Sequence, residues 1–411
     1  MADSTRHPGR MLQMCGQGVG IALMLARIGV LGLVTIQSVK AQTFTLLHTF
    51  AGPLKDGATP FAGLVMDAKG NLYGTTTSGG SSGYYGTVFK VSATGEETVL
   101  HNFTNGPTDG AYPEGGLVLD AQGNLYGTTT SGGSGAGGGT VFKVDKDGDE
   151  SLLYSFTGGA DGGGPDASLI QDDRGNLYGT TNAGGDMKCG NGCGVVFKLD
   201  KAGHETVLHT FSGPDGAVPN YTTLLMDAKG NLYGDTLVGG ASNMGVVYKL
   251  SRSGKLSVLH SFAGGEKDGC YPWGALVSDA TGNLYGTTQV CGAFDGGTVY
   301  KLSTSGKLTL LHSFAGFGGS RGGPVAGVIR DADGNLYGDT VEGGSTRCGG
   351  YGCGTVYKLT KTGTITILHS FSKSNGEYPY SGLIRDAKGN LYGTTEMGGS
   401  TGYGTAWRLT P

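Results

Sequence analysis

The sequence predicts an all-β chain folded as a seven-bladed β-propeller of four-stranded antiparallel blades. Three observations carry that prediction. The string Gly-Asn-Leu-Tyr-Gly, followed by Thr-Thr or Asp-Thr, is written seven times, with tyrosines at Tyr73, Tyr126, Tyr178, Tyr233, Tyr285, Tyr337 and Tyr392. Steps of 52 to 55 residues are those of an array in which one supersecondary unit stacks on copies of itself. Each apolar run within a unit is five to seven residues long and rich in Val, Leu, Thr and aromatics, without helical period. The ends complement one another. The pattern apolar-Leu-His-x-Phe first occurs at Leu46 to Phe50, before any complete unit, and the last unit stops after the run Thr405 to Leu409. The N-terminal strand, Phe44 to Phe50, is therefore expected to supply the outer strand of blade seven and close the ring, which removes exposed sheet edges.

Residues 1–41 precede the repeat. Arg6, Arg10 and Arg27 stand before an apolar run from Ile28 to Ile36, and Val39-Lys40-Ala41 offers a cleavage site before Gln42. This is the layout of a secretory signal. An uncleaved anchor over Met11 to Ile36 is the alternative, but it would bury Arg27 at a cost of about 3 kcal/mol. Residues 42–411 are then one propeller, expected to be a secreted, periplasmic or cell-surface monomer that meets a membrane only if the N-terminal segment stays uncleaved.

The second unit shows the elements. Gly115 to Asp120 is an apolar run, Ala121-Gln122-Gly123 a tight turn, and Asn124 to Thr129 a second run. After a glycine-rich loop come Gly139 to Val144, a polar turn, and Ser151 to Phe156. Glycine totals 83 of 411 residues and charged residues only 15%, against ordinary values of about 7% and about 25%. Because the glycines recur at fixed places between apolar runs, they punctuate strands and do not signal disorder.

The turn Asp-x-x-Gly-Asn-Leu-Tyr, as in Asp67 to Tyr73 and Asp386 to Tyr392, resembles the blade motif of NHL-type propellers. The whole unit, with Gly-Asn-Leu-Tyr-Gly-Thr-Thr, Gly-Thr-Val-Phe-Lys and Val-Leu-His-Ser-Phe in that order, more closely resembles the GloVer tandem repeat of exported bacterial proteins, over residues 43–411. That resemblance implies a secreted or surface-displayed repeat protein without an assigned activity. Some relatives carry a C-terminal sorting anchor, and none is expected here after Trp407.

A formal net charge of −4 supplies no basic stripe, so nucleic acid is excluded as a partner. Cys15 would leave with the signal. The six remaining cysteines, Cys189, Cys193, Cys270, Cys291, Cys348 and Cys353, are even in number, as in disulfide-bonded exported chains. Cys189/Cys193 and Cys348/Cys353 each share one glycine-rich loop and read as local staples. A zinc site is the alternative, but clustered His and Cys-x2-Cys spacing are lacking. No cofactor or metal is expected.

Residues repeated in every blade serve the blade. The outer-strand histidines, His48, His101, His209, His260, His312 and His369 with Tyr154 in the remaining place, read as structural hydrogen bonders. Phe89, Phe142, Phe197, Tyr248, Tyr300, Tyr357 and Trp407 read as inter-blade packing. The turn aspartates Asp67, Asp120, Asp172, Asp227, Asp279, Asp331 and Asp386 suit caps of their own turns, since one carboxylate per turn falls short of calcium's six to eight oxygens.

Departures from the pattern are the candidate site. A motif close to Asp-Gly-x-x-Pro leads into each innermost strand, and the residue after its proline runs Phe61, Glu114, Asp166, Asn220, Trp273, Val325, Tyr380. One slot at the channel mouth thus carries seven different side chains. Glu114, Asp166, Asn220, Trp273 and Tyr380, joined by Asp235 and Asp339 where other second strands have Thr, could bind hydroxyls and stack a sugar ring. The expected function is a non-catalytic binding module for a glycan or protein, acting through the loop-bearing face. The alternatives are a glycoside hydrolase or polysaccharide lyase, with Glu114 and Asp166 as acid and base, or a purely structural surface component. No catalytic residue is assigned.

Overall fold

The computed structural model describes residues 42–134, 137–315, 323–344 and 348–410; the signal segment expected at 1–41 lies outside them. Seven antiparallel sheets follow one another along the chain and form the seven blades. Blade one runs Val65–Met66, Leu72–Thr76, Thr87–Val91 and Glu97–Asn102, from innermost to outermost. Blade seven runs Ile384–Arg385, Leu391–Thr395 and Thr405–Thr410, and Thr43–Thr49 pairs antiparallel with the last of these as its outer strand. Blade five gains a fifth strand, Gly269–Pro272, on the end of Leu284–Cys291. Among the described residues no helix is long and apolar enough to cross a membrane.

The repeated string can be read residue by residue. Asp67 accepts hydrogen bonds from Lys69 N and Asn71 N at 2.9 Å, Asn71 Nδ2 at 2.7 Å and Tyr73 OH at 3.1 Å. Burial alone would raise its pKa, but these bonds hold it below the usual carboxylate value. The leucine is buried, and the glycine after the tyrosine lies under the aromatic of the neighbouring strand. A Cβ at Gly127 would meet Phe142 Cζ at 2.5 Å. The first threonine ties blades together: Thr75 Oγ1 donates to the Gly115 carbonyl at 3.2 Å, and Thr394 Oγ1 to Pro60 at 3.1 Å across the seven–one junction.

The core lies between blades. Phe50, Leu64, Leu72, Phe89, Val91 and Ala406 form one cluster drawn from blades seven and one, and the third-strand aromatics from Phe89 round to Trp407 are completely buried. The Leu-His pair also has a geometric cause. In every blade the outer strand bulges at the residue before the histidine position, as at Leu100, where Val99 pairs with Phe89 and His101 with Val88. The bulge aims the histidine at the connection leading to the next blade. His48 Nε2 lies 2.9 Å from Asp56 Oδ2, His209 Nε2 lies 2.9 Å from Asp215 Oδ2, and Tyr154 OH donates to Asp161 at 3.1 Å.

The innermost strands are shorter than their sequence runs. Of Gly115 to Asp120 only Val118–Leu119 pair with the second strand. The preceding residues face the next blade instead, with Gly116 N donating to Ser168 Oγ at 2.8 Å. Around a narrow channel the buried backbone finds partners between blades before it can within one.

Candidate functional site

A cavity of about 210 Å³ occupies the central channel, and all seven blades line it. Six of the seven slot residues reach it: Phe61, Glu114, Asp166, Trp273, Val325 and Tyr380. Asn220 does not; its place is taken by Tyr221. Blade four has one more residue between its proline, Pro219, and its first core leucine, Leu224, than the other blades have. The extra residue is accommodated at Tyr221, which adopts φ 55°, in the left-handed region that non-glycine residues seldom enter. The longer spacing was visible in the sequence, but only the fold shows which side chain it delivers.

Tyr221 spans the mouth. Its hydroxyl donates to Glu114 Oε2 at 2.7 Å, and its backbone N donates to Asp166 Oδ1 at 3.1 Å. Its ring stacks on Trp273 at 5.0 Å and 15° and meets Phe61 at 5.0 Å; Phe61 in turn stacks on Tyr380 at 4.8 Å. Four rings from blades seven, one, four and five thus form one continuous row.

The two acids differ in freedom. Asp166 is 1% exposed and accepts from Asn182 Nδ2 at 2.7 Å as well as from Tyr221 N. Burial drives its pKa up to about 7; those two hydrogen bonds offset part of that rise, and the nearby Glu114 adds to it. Burial also raises Glu114, moderated by the Tyr221 hydroxyl. Burial and the charges of Glu114, Asp166 and Glu396 together push the Tyr221 phenol far up, so it stays a neutral donor.

Asp235 and Asp339 lie outside the channel lining. They occupy the position from which threonine bonds to the next blade, and both are buried. Asp235 accepts from Thr222 Oγ1 at 2.5 Å, while neither oxygen of Asp339 has a hydrogen-bond partner. Burial lifts their pKa values to about 7 and about 8.

The cysteines pair as Cys189–Cys193, Cys270–Cys291 and Cys348–Cys353, all on the channel-mouth face. Exposed apolar side chains accompany each bridge: Met187, Phe294 and Tyr351, at 59%, 64% and 50% exposure. On the opposite face a groove of about 660 Å³ between blades three and four mixes Arg174, Lys198 and Arg252 with Asp172 and Asp227, and has no aromatic row.

A model of the Gloeobacter/Verrucomicrobia repeat matches residues 28–192 and 188–407. The chain belongs to that repeat family. No curated protein matches it. Among solved structures, this repeat protein is similar to the extracellular domain of a one-component system of B. thetaiotaomicron, with TM-score 0.55, 12% identity and 89% of the chain covered. It is also similar to PorZ, a surface component of the type-IX secretion system of Porphyromonas gingivalis, with TM-score 0.53, 16% identity and 87% covered. The chain spans 39% and 47% of those two proteins. At such identities the likeness concerns the propeller fold.

Proposed function

We propose that the chain is an exported, non-catalytic binding module whose ligand site is the channel mouth on the loop-bearing face. The observation that carries this reading is convergence. Positions that a symmetric ring would make alike instead bring four aromatic rings and two carboxyls to one cavity. Aromatic faces beside hydrogen-bond acceptors suit a glycan, whose ring stacks while its hydroxyls donate. Three disulfides and exposed apolar side chains on the same face support export and a protein-facing or matrix-facing surface. Asp166 is buried with both oxygens held by Asn182 and Tyr221, so it braces the mouth while Glu114 and the four rings are left to meet a ligand.

The test is a glycan array probed with the parent chain and with Trp273→Ala and Glu114→Gln. Selective binding that both variants lose while their circular dichroism is unchanged supports the site. Binding that neither variant alters moves the interaction to the stapled loops and overturns it.

A further inference from the structure

The outer rim holds groups that neither the fold nor the channel site accounts for. The residue pairing with the end of the third strand is Glu97 in blade one, Glu150 in blade two and Glu205 in blade three. It is Leu256, Leu308 and Ile365 in blades four to six and, opposite the equivalent Leu409, Phe44 in blade seven, whose strands run on by one further pair, Thr43 and Thr410. This position packs against the outer strand of the preceding blade: Phe44 lies flat on His369, with ring centroids 4.0 Å apart. An apolar residue here covers the histidine. A glutamate adds a carboxyl to a pair that is already a histidine and an aspartate.

Two junctions are thereby equipped alike. The ligand atoms of His48, Asp56 and Glu97 lie within 4.8 Å of one another, and His101, Asp109 and Glu150 repeat the set one blade further on. In each set the three residues come from the outer strand of one blade, the connection after it and the outer strand of the next. Glu97 Oε1 and Glu150 Oε1 are shut off from solvent and accept no hydrogen bond, and the same holds for Glu205 Oε1 in blade three, so what sets the first two junctions apart is the histidine beside the carboxylate pair. A buried carboxyl oxygen facing a second carboxylate is relieved by a proton or by a cation in the gap, and burial does raise Glu97, Glu150 and Glu205 alike. Only at the first two junctions does an imidazole complete a set of metal donors. Two carboxylates and an imidazole suit a divalent transition ion, because the nitrogen donor turns the set away from calcium and magnesium.

We propose that the seven–one and one–two junctions are a pair of equivalent sites for a divalent transition-metal ion of the zinc class. His48, Asp56 and Glu97 ligate one ion, His101, Asp109 and Glu150 the other, and solvent completes each shell. The contact of His48 with Asp56 uses the same ring nitrogen that would ligate, so ligation requires the tautomer protonated on Nδ1. Each ion would brace two neighbouring blades at the rim, one of them at the ring-closing junction. Blade three is the internal control: Glu205 faces Asp161 and Tyr154, whose phenol supplies no ligand at neutral pH.

Equilibrium dialysis of the chelator-treated full chain against zinc chloride tests this. The expected retention is two ions per chain in the parent and in Glu205→Leu, one in Glu97→Leu, and none in the Glu97→Leu/Glu150→Leu double variant. Leucine is what blades four and five already carry at this position, so these variants keep the fold, and circular dichroism checks that they do. Zinc should raise the melting temperature of the parent and leave the double variant unmoved. Absence of stoichiometric zinc in the parent, or a double variant that keeps both ions, would overturn the proposal.

Discussion

Blades one to three and blades four to seven share one backbone frame but keep their unmatched polar groups in different places. In the first three, the third-strand ring is phenylalanine and the outer strand opens on glutamate, so the unmatched polarity sits at the rim, apart from Thr77 Oγ1 just after the second strand of blade one. In the last four, the ring is Tyr248, Tyr300, Tyr357 or Trp407, and the residue equivalent to those glutamates is the apolar Leu256, Leu308, Ile365 or Phe44. There the polarity has moved inward: the three hydroxyls, Trp407 Nε1, Asp235 Oδ2 and both oxygens of Asp339 are buried without partners. The repeat therefore dictates backbone pairing and inter-blade contact but leaves the siting of polar groups open. A buried polar group lacking a partner costs about 1–3 kcal/mol, so the two halves should respond differently to the same kinds of substitution.

The largest expected effect is at Asp339, whose folded pKa of about 8 stands above its ordinary 3.8 because of burial. A raised acid contributes stability that is complete below the unfolded pKa and is lost as pH rises through the folded one. The chain should therefore weaken between about pH 4 and pH 8, and Asp339→Thr, which copies the other threonine blades, should flatten that slope. The gain should be larger at pH 9 than at pH 4 by on the order of 5 kcal/mol, as urea denaturation at the two pH values would show. An equal effect at both would mean that the carboxyl is not held neutral.

The shared frame should give matched losses in the two halves. Asp120 accepts from Gln122 N, Asn124 N, Asn124 Nδ2 and Tyr126 OH, and Asp386 accepts the same set from Lys388, Asn390 and Tyr392. Replacing either with alanine should cost about 2 kcal/mol in the same assay. A loss confined to one half would break the idea of a common frame.

Tyr300→Phe, which makes blade five resemble blades one to three, should be neutral to stabilising by about 1 kcal/mol because it removes an unpaired buried hydroxyl. The reciprocal Phe142→Tyr should lose a similar amount. The smallest effect is at the mouth. Tyr221→Phe takes the one hydroxyl donor from Glu114, costs about 1 kcal/mol, and should move the already raised Glu114 pKa further up, as a carboxyl titration followed by NMR would show.

Much of this was legible in advance because a repeat states its rules seven times. The turn aspartates, the buried third-strand aromatics and the hydrogen-bonding role of the outer-strand histidines could be assigned from spacing, since each acts within one unit or between adjacent units, whereas the aspartate that each histidine meets, as Asp56 meets His48, came only from the fold. The mouth was only half legible. Phe61, Glu114, Asp166, Trp273, Val325 and Tyr380 come together as a slot, but Tyr221 displaces Asn220. Asp235 and Asp339 turn into the gap between blades and not toward the channel. Strand alternation and one inserted residue decide these outcomes, and a side chain spanning the channel has no counterpart in any local period.

By itself the sequence determined the number of blades, their strand content and the residues that make each turn, because short-range hydrogen bonds and alternating burial act over a few positions and are repeated. Only the tertiary structure decided which rings stack across the channel, which acids are left without donors, and which rim histidines acquire a second carboxylate. Those contacts join segments from 40 to more than 100 residues apart, as Tyr221 and Glu114 are at a separation of 107. They exist only once the ring has brought the blades face to face.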